Sequence, residues 1–159
     1  MRKFLVALLA LTLALGLTAC GGNETQEAPD LAAYYNDFIA SLGEENAPMM
    51  MEVTEDFMDS TYPGLSDYEL NQRVIYTAAI SAVAFEMALV ECANEGDVEA
   101  VQGIFQSRID NQVNGGAMYP ATVEAWQNAE VLVNGNVVAL IVAGDYQADA
   151  VTAFNDLFQ

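Results

Sequence analysis

The order and period of the apolar residues predict an α+β domain, a small, mainly antiparallel sheet of about four strands with helices packed on one face. Three observations carry that expectation. Runs rich in β-branched and aromatic residues follow one another between Gln72 and Cys92, Asn134-Gly135 sits between two further apolar runs, and helical spacing recurs on either side of them.

Asp30 can cap a helix whose Leu31, Tyr34, Tyr35, Phe38 and Leu42 share one face, and Gly43 ends it. A second helix is expected over residues 50–60, with Val53 and Phe57 on its inner side, until Tyr62-Pro63-Gly64 breaks the chain. Val74, Ile75, Tyr76 and Ile80 suit a buried strand over residues 72–80. The run 83–92 is ambiguous. Its Glu, Met, Ala and Leu favour helix, yet Phe85, Met87 and Leu89 alternate with Glu86, Ala88 and Val90 in the two-residue period of a strand, and strand is the reading adopted. Asp97 then caps a helix striped by Val98, Val101, Phe105 and Ile109 and closed by Gly115-Gly116. Pro120 opens a short helix through Trp126, because the first helical turn does not need its missing amide hydrogen. Residues 130–133 and 137–142 flank Asn134-Gly135, a dipeptide that tolerates the positive φ angles of a two-residue hairpin. A last helix turns Val151, Phe154 and Phe158 inward.

The chain opens with Arg2 and Lys3, an apolar run from Phe4 to Leu17, and the small residues Thr18 and Ala19 before Cys20. That is the n-region, h-region and cleavage site of an export signal, and the run is shorter than the roughly 20 apolar residues of a membrane span. Leu17-Thr18-Ala19-Cys20 resembles the lipobox of bacterial lipoproteins, in which the cysteine thiol receives a diacylglyceryl group and the bond before it is cut. Each buried methylene contributes about 0.8 kcal/mol and a single chain binds only marginally, so two or three chains on Cys20 would anchor it stably. The expected organisation is a signal over residues 1–19, a lipidated cysteine with a flexible tether over 20–29, and a single acidic domain over 30–159. The expected address is the outer face of the cytoplasmic membrane.

Removing residues 1–19 from 159 leaves 140 residues that keep only Arg73 and Arg108 against 23 carboxylates, a formal charge of −21. Neither histidine nor lysine remains. Such a field repels nucleic-acid phosphates and lacks the basic patch that counterion release requires, so nucleic acid is excluded as a partner, while a cationic or envelope partner is compatible. The residue inventory also removes the Ser-His-Asp triad, the Cys-His pair, the lysine Schiff base and histidine-ligated zinc. No cofactor or metal is expected. Asn94-Glu95-Gly96-Asp97 comes nearest to a calcium loop but reads better as a turn into a helix cap. Cys92 lies in an apolar run without a basic neighbour and is expected to be a buried, unreactive thiol.

Helical spacing sets Arg108 beside Phe105 and Ile109 at the edge of the buried stripe. An arginine there needs a partner. The structural reading pairs Arg108 with Glu86, Glu91 being the other candidate, and the functional one has it capture an anionic ligand. Trp126 beside Tyr119-Pro120 fits a core position or the lining of a sugar or peptide face.

Tyr62-Pro63-Gly64-Leu65, the run from Ile80 to Val90, Ile104-Phe105-Gln106-Ser107-Arg108, Tyr119-Pro120 and Asn134-Gly135-Asn136-Val137-Val138 resemble a family of small bacterial lipoproteins known only as a domain of unknown function, number 4358. That resemblance spans Tyr62 to Ala143 and implies a surface-tethered α+β domain, with no activity or catalytic residue attached to it. The expected function is therefore a membrane-anchored lipoprotein acting as a non-enzymatic binding or scaffold module of the cell envelope. The alternative is a carboxylate-based hydrolase acting on envelope glycan, which would need two acids about 5 to 10 Å apart in a cleft.

Overall fold

A computed structural model describes residues 28–159, and among these no helix is long and apolar enough to cross a membrane. The expected signal, Cys20 and most of the tether lie outside the described residues. Helix α1 (Leu31–Ser41) starts where Asp30 accepts the Ala33 amide at 2.9 Å. Gln72 fastens that start to the sheet, accepting from the Leu31 amide at 3.0 Å and donating to the Pro29 carbonyl at 3.0 Å. Tyr34, Tyr35 and Phe38 point inward with Leu31, as the spacing requires.

The expected helix over residues 50–60 is instead a short strand, β1 (Met50–Glu52), followed by helix α2 (Glu55–Thr61). Pairing overrides propensity here. Met50, Met51 and Glu52 take register against Ala78, Thr77 and Tyr76, and the Val53 amide donates to the Ile75 carbonyl. Helix α2 starts five residues later than expected and turns Met58 rather than Phe57 into the core. Strand β2 (Leu70–Ala78) begins earlier than expected and ends before Ile80, which is exposed in the following loop.

Strand β3 (Glu86–Cys92) resolves the ambiguous run as a strand. Helix α3 (Val98–Asn111) buries Val101, Phe105 and Ile109; a wide turn over residues 112–116 leads to helix α4 (Pro120–Gln127) with proline in its first turn. Asp97 does not cap α3 with its side chain, which accepts from the Asn94 amide nitrogen Nδ2. Strands β4 (Glu130–Asn134) and β5 (Val137–Val142) form the expected hairpin, but its central residues are Gly135 and Asn136. Only Gly135 has positive φ, 54°, which matches a II′ turn with glycine first rather than an Asn-Gly I′ turn. Helix α5 (Gln147–Asp156) buries Phe154, and Ala150 takes the inward place expected of Val151.

The sheet order is β1-β2-β3-β5-β4 with every neighbouring pair antiparallel. The α+β class therefore stands, with β1 as a fifth strand. Helices cover both faces of the sheet, not one. Ala88, Val90 and Cys92 with Val138, Leu140 and Val142 face Met58, Tyr62, Phe105 and Trp126, whereas Met87 and Leu89 with Val137, Ala139 and Ile141 face Leu31, Tyr34, Phe38 and Phe154. A strand buried on both sides has no polar face to show, which is why β5 reads Val-Val-Ala-Leu-Ile-Val without alternation. The Tyr34 hydroxyl donates to the Ala150 carbonyl at 2.8 Å and so joins α1 to α5.

Candidate functional site

Glu86 is the first residue of β3, and its even position sends its side chain to the same face as Ala88 and Val90. There it stands between Thr77 of β2 and Val142 of β5 in one cross-strand row, fully buried. A carboxylate in that place must be paired and hydrogen-bonded or neutralised. Arg108 descends from the last turn of α3, donating from Nε to Glu86 Oε1 at 2.9 Å and from Nη2 to Oε2 at 2.8 Å. The fork is bidentate, the geometry that planar guanidinium and carboxylate favour. Tyr62, at the end of α2, donates its hydroxyl to Glu86 Oε1.

Aromatic rings close the group from above. The Arg108 guanidinium lies 5.2 Å from the Trp126 ring and 5.8 Å from the Tyr62 ring, and Tyr62 meets Phe105 edge-on at 5.4 Å. Burial, and then the Glu86 charge and hydrogen bond, push the Tyr62 hydroxyl well above its ordinary pKa, so it stays a donor. Burial alone would lower the pKa of Arg108; the bonds and charge of Glu86, with Tyr62, outweigh it and move the value up. Every buried side-chain nitrogen and oxygen among the described residues has a partner. Chemically the cluster joins a neutral phenol, a guanidinium and a carboxylate: both oxygens of the fully buried Glu86 are held, while the Arg108 side chain keeps a partly exposed edge.

The structure thus brings Arg108 and Glu86 together and gives Glu91 other work, accepting from Gln72 at 2.9 Å and from Asn71 at 3.3 Å. Trp126 belongs to the core and forms no open face. The sequence offered no sign that Tyr62, read as part of a chain break, completes the pair; its placement depends on α2 beginning at Glu55. Cys92 is buried, its thiol pushed up by burial and by the nearby Asp97 and Glu91 carboxylates. Among the described residues no group of three or more His, Cys, Asp or Glu could hold a metal ion, and residues 94–97 form the turn into α3. Cys20 is outside the described residues.

Arg73, on β2, is half-exposed and bridges to Glu55 at the start of α2. The two flank a shallow cleft of about 380 Å³ whose floor is Met58, Leu65 and Leu70. Sequence reasoning missed this cleft, because it exists only where α2 lies against β2.

Fold and site together define a small α+β domain, a five-stranded sheet covered on both faces, with an ion pair to a fully buried carboxylate at the end of its central strand. The chain belongs to the family described as a domain of unknown function (DUF4358), whose family model matches residues 43–143. That span contains the whole sheet with Tyr62, Glu86, Arg108 and Trp126, and leaves α1 and α5 outside. No curated protein and no solved structure matches the chain.

Proposed function

We propose that the chain is the precursor of a lipoprotein, lipidated on Cys20 and held on the outer face of the cytoplasmic membrane, where its acidic domain acts as a non-enzymatic binding or scaffold module. The observation that carries the address is Leu17-Thr18-Ala19-Cys20 set directly after an apolar run led by Arg2 and Lys3. The module reading is supported by what the interior does with its charges. Among the described residues Glu86 is the one buried carboxylate, and Arg108 holds both its oxygens while Tyr62 holds one of them. A carboxylate hydrolase needs a desolvated acid free to exchange a proton in a cleft beside a second acid. Glu86 is spent on structure, and the acid at the cleft, Glu55, is exposed and paired with Arg73.

Metabolic labelling with a fatty acid tests the reading. Wild-type protein should take up label and sediment with membranes, and Cys20→Ser should do neither. Equal labelling of the two, or membrane retention of an unlabelled Cys20→Ser protein, would contradict it.

A further inference from the structure

Strand β1 covers only part of the β2 edge. The Ala79 amide donates to the Met49 carbonyl at 2.8 Å and the Val53 amide to the Ile75 carbonyl at 2.9 Å, while on the other side the Ala78 amide donates to the Phe85 carbonyl at 2.7 Å. Between Arg73 and Ala79 the odd-numbered residues therefore turn their backbone groups toward β1 and the even-numbered ones toward β3, the alternation of an antiparallel ladder. Arg73 is the next odd residue after Ile75, and there β1 has already ended at Glu52 and the chain has left for α2. The Arg73 N–H and C=O face an open edge, and no hydrogen bond among the described residues takes up either group.

The Arg73 side chain opens on the same place. It shares a sheet face with Ile75 and rims the cleft of about 380 Å³ floored by Met58, Leu65 and Leu70. Its Nη1 meets Glu55 Oε1 at 2.5 Å, but Nε and Nη2 carry no hydrogen bond among the described residues. Arg108 differs, because Glu86 takes both arms of its fork. Three features thus adjoin at one residue: a strand-pairing N–H and C=O, half an arginine fork, and an apolar recess near the small end of the range of ligand pockets. Each matches one part of a single ligand class. A peptide group pairs with the edge, a terminal carboxylate takes the fork, and an apolar side chain fills the recess. The acidic surface repels a bare anion, so the carboxylate has to arrive with the apolar and main-chain contacts that a peptide supplies.

We propose that the cleft between α2 and the open edge of β2 is a docking site for the carboxyl-terminal end of a peptide whose last residue is apolar. The proposal rests on the binding-module reading and adds where the module binds and the chemistry it selects. Glu55 competes with the ligand for Arg73 and so limits the affinity of the site.

The test uses the full-length lipoprotein in phosphatidylcholine nanodiscs, with empty discs as the blank, and a pool of random hexapeptides that carry a fluorophore at the amino end and close on leucine. Anisotropy should report binding of the pool with a free carboxyl end, and the same pool ending in a carboxamide should bind about ten-fold or more weakly. Arg73→Gln should erase that preference. Glu55→Gln, which releases the rest of the fork, should tighten the carboxylate pool, whereas a bridge that only holds α2 to β2 would give no such gain. Hydrogen exchange over residues 70–75 should slow when the pool is bound. Both substituted side chains reach solvent, so circular dichroism should show each variant folded, and the carboxamide comparison needs no variant at all. Equal binding of the two pools by the wild type, or exchange that bound peptide leaves unaltered, would overturn the proposal. Displacement by free leucine as effective as that by unlabelled peptide would assign the cleft to an amino acid and also overturn it. Each of these outcomes leaves the module reading standing on some other surface, and the lipid anchor has its separate labelling test.

Discussion

Arg108 and Arg73 carry the same charge in different surroundings, and their contributions to stability should differ accordingly. Arg108 holds a carboxylate that is fully buried, whereas the Glu55 partner of Arg73 is 72 % exposed. Removing one member of a buried pair strands the other charge, typically about 3–5 kcal/mol, while an exposed pair contributes at most about 1 kcal/mol. Arg108→Met should therefore move the urea midpoint down by several-fold more than Arg73→Met, with the slope unchanged; equal midpoints would refute a structural Arg108. The tyrosines set the alkaline limit. Tyr62 and Tyr34 are raised by burial and Tyr35 is pushed up to about 12, so above the ordinary value of 10.0 the native state keeps protons that the unfolded chain has released. Their contribution is complete below about pH 10 and is lost as pH rises beyond it, by up to ~1.4 kcal/mol per pH unit for each buried group. Urea titrations across that range should show the fall, and Tyr62→Phe should make it shallower. Cys92, buried with a raised pKa, should react with a thiol reagent only at the rate of unfolding; rapid labelling of native protein would contradict its placement.

Elements whose signals are local were legible in the sequence. Asp30 with its helical stripe, Pro120 at a helix start, and glycine between two apolar runs each determine a structure within a few residues. Strand β1 was not legible, because three residues with no alternation become a strand only by pairing with β2, far away in sequence. That miss displaced α2 by a few residues and exchanged Phe57 for Met58 in the core, and with it went the position of Tyr62. Arg108 was legible as needing a buried partner because its helix stripe is local; the third and fourth members, Tyr62 and Trp126, depend on how separate elements meet. The exchange is measurable. Met58→Ala should cost about 2–5 kcal/mol, and Phe57→Ala should stay within about 0.5 kcal/mol. A larger loss from Phe57→Ala would favour the longer helix over residues 50–60.

At the scale of the molecule, cover on both faces is legible in the unbroken apolar run of β5, which a one-sided sheet would not require. Packing α1 and α5 on one side and α2, α3 and α4 on the other fills the interior, so nearly all of the acidic charge of the described residues stands outside. The ion pair of Glu86 and Arg108 belongs to that interior and holds β3 to α3. In the proposed function a lipid on Cys20 would set the address of this domain. Intact-mass measurement on protein extracted from the membrane decides whether Cys20 is lipidated. The expected result is a chain beginning at Cys20 and carrying the added mass of acyl chains. A chain that retains residues 1–19, or one cut elsewhere with an unmodified cysteine, would contradict it.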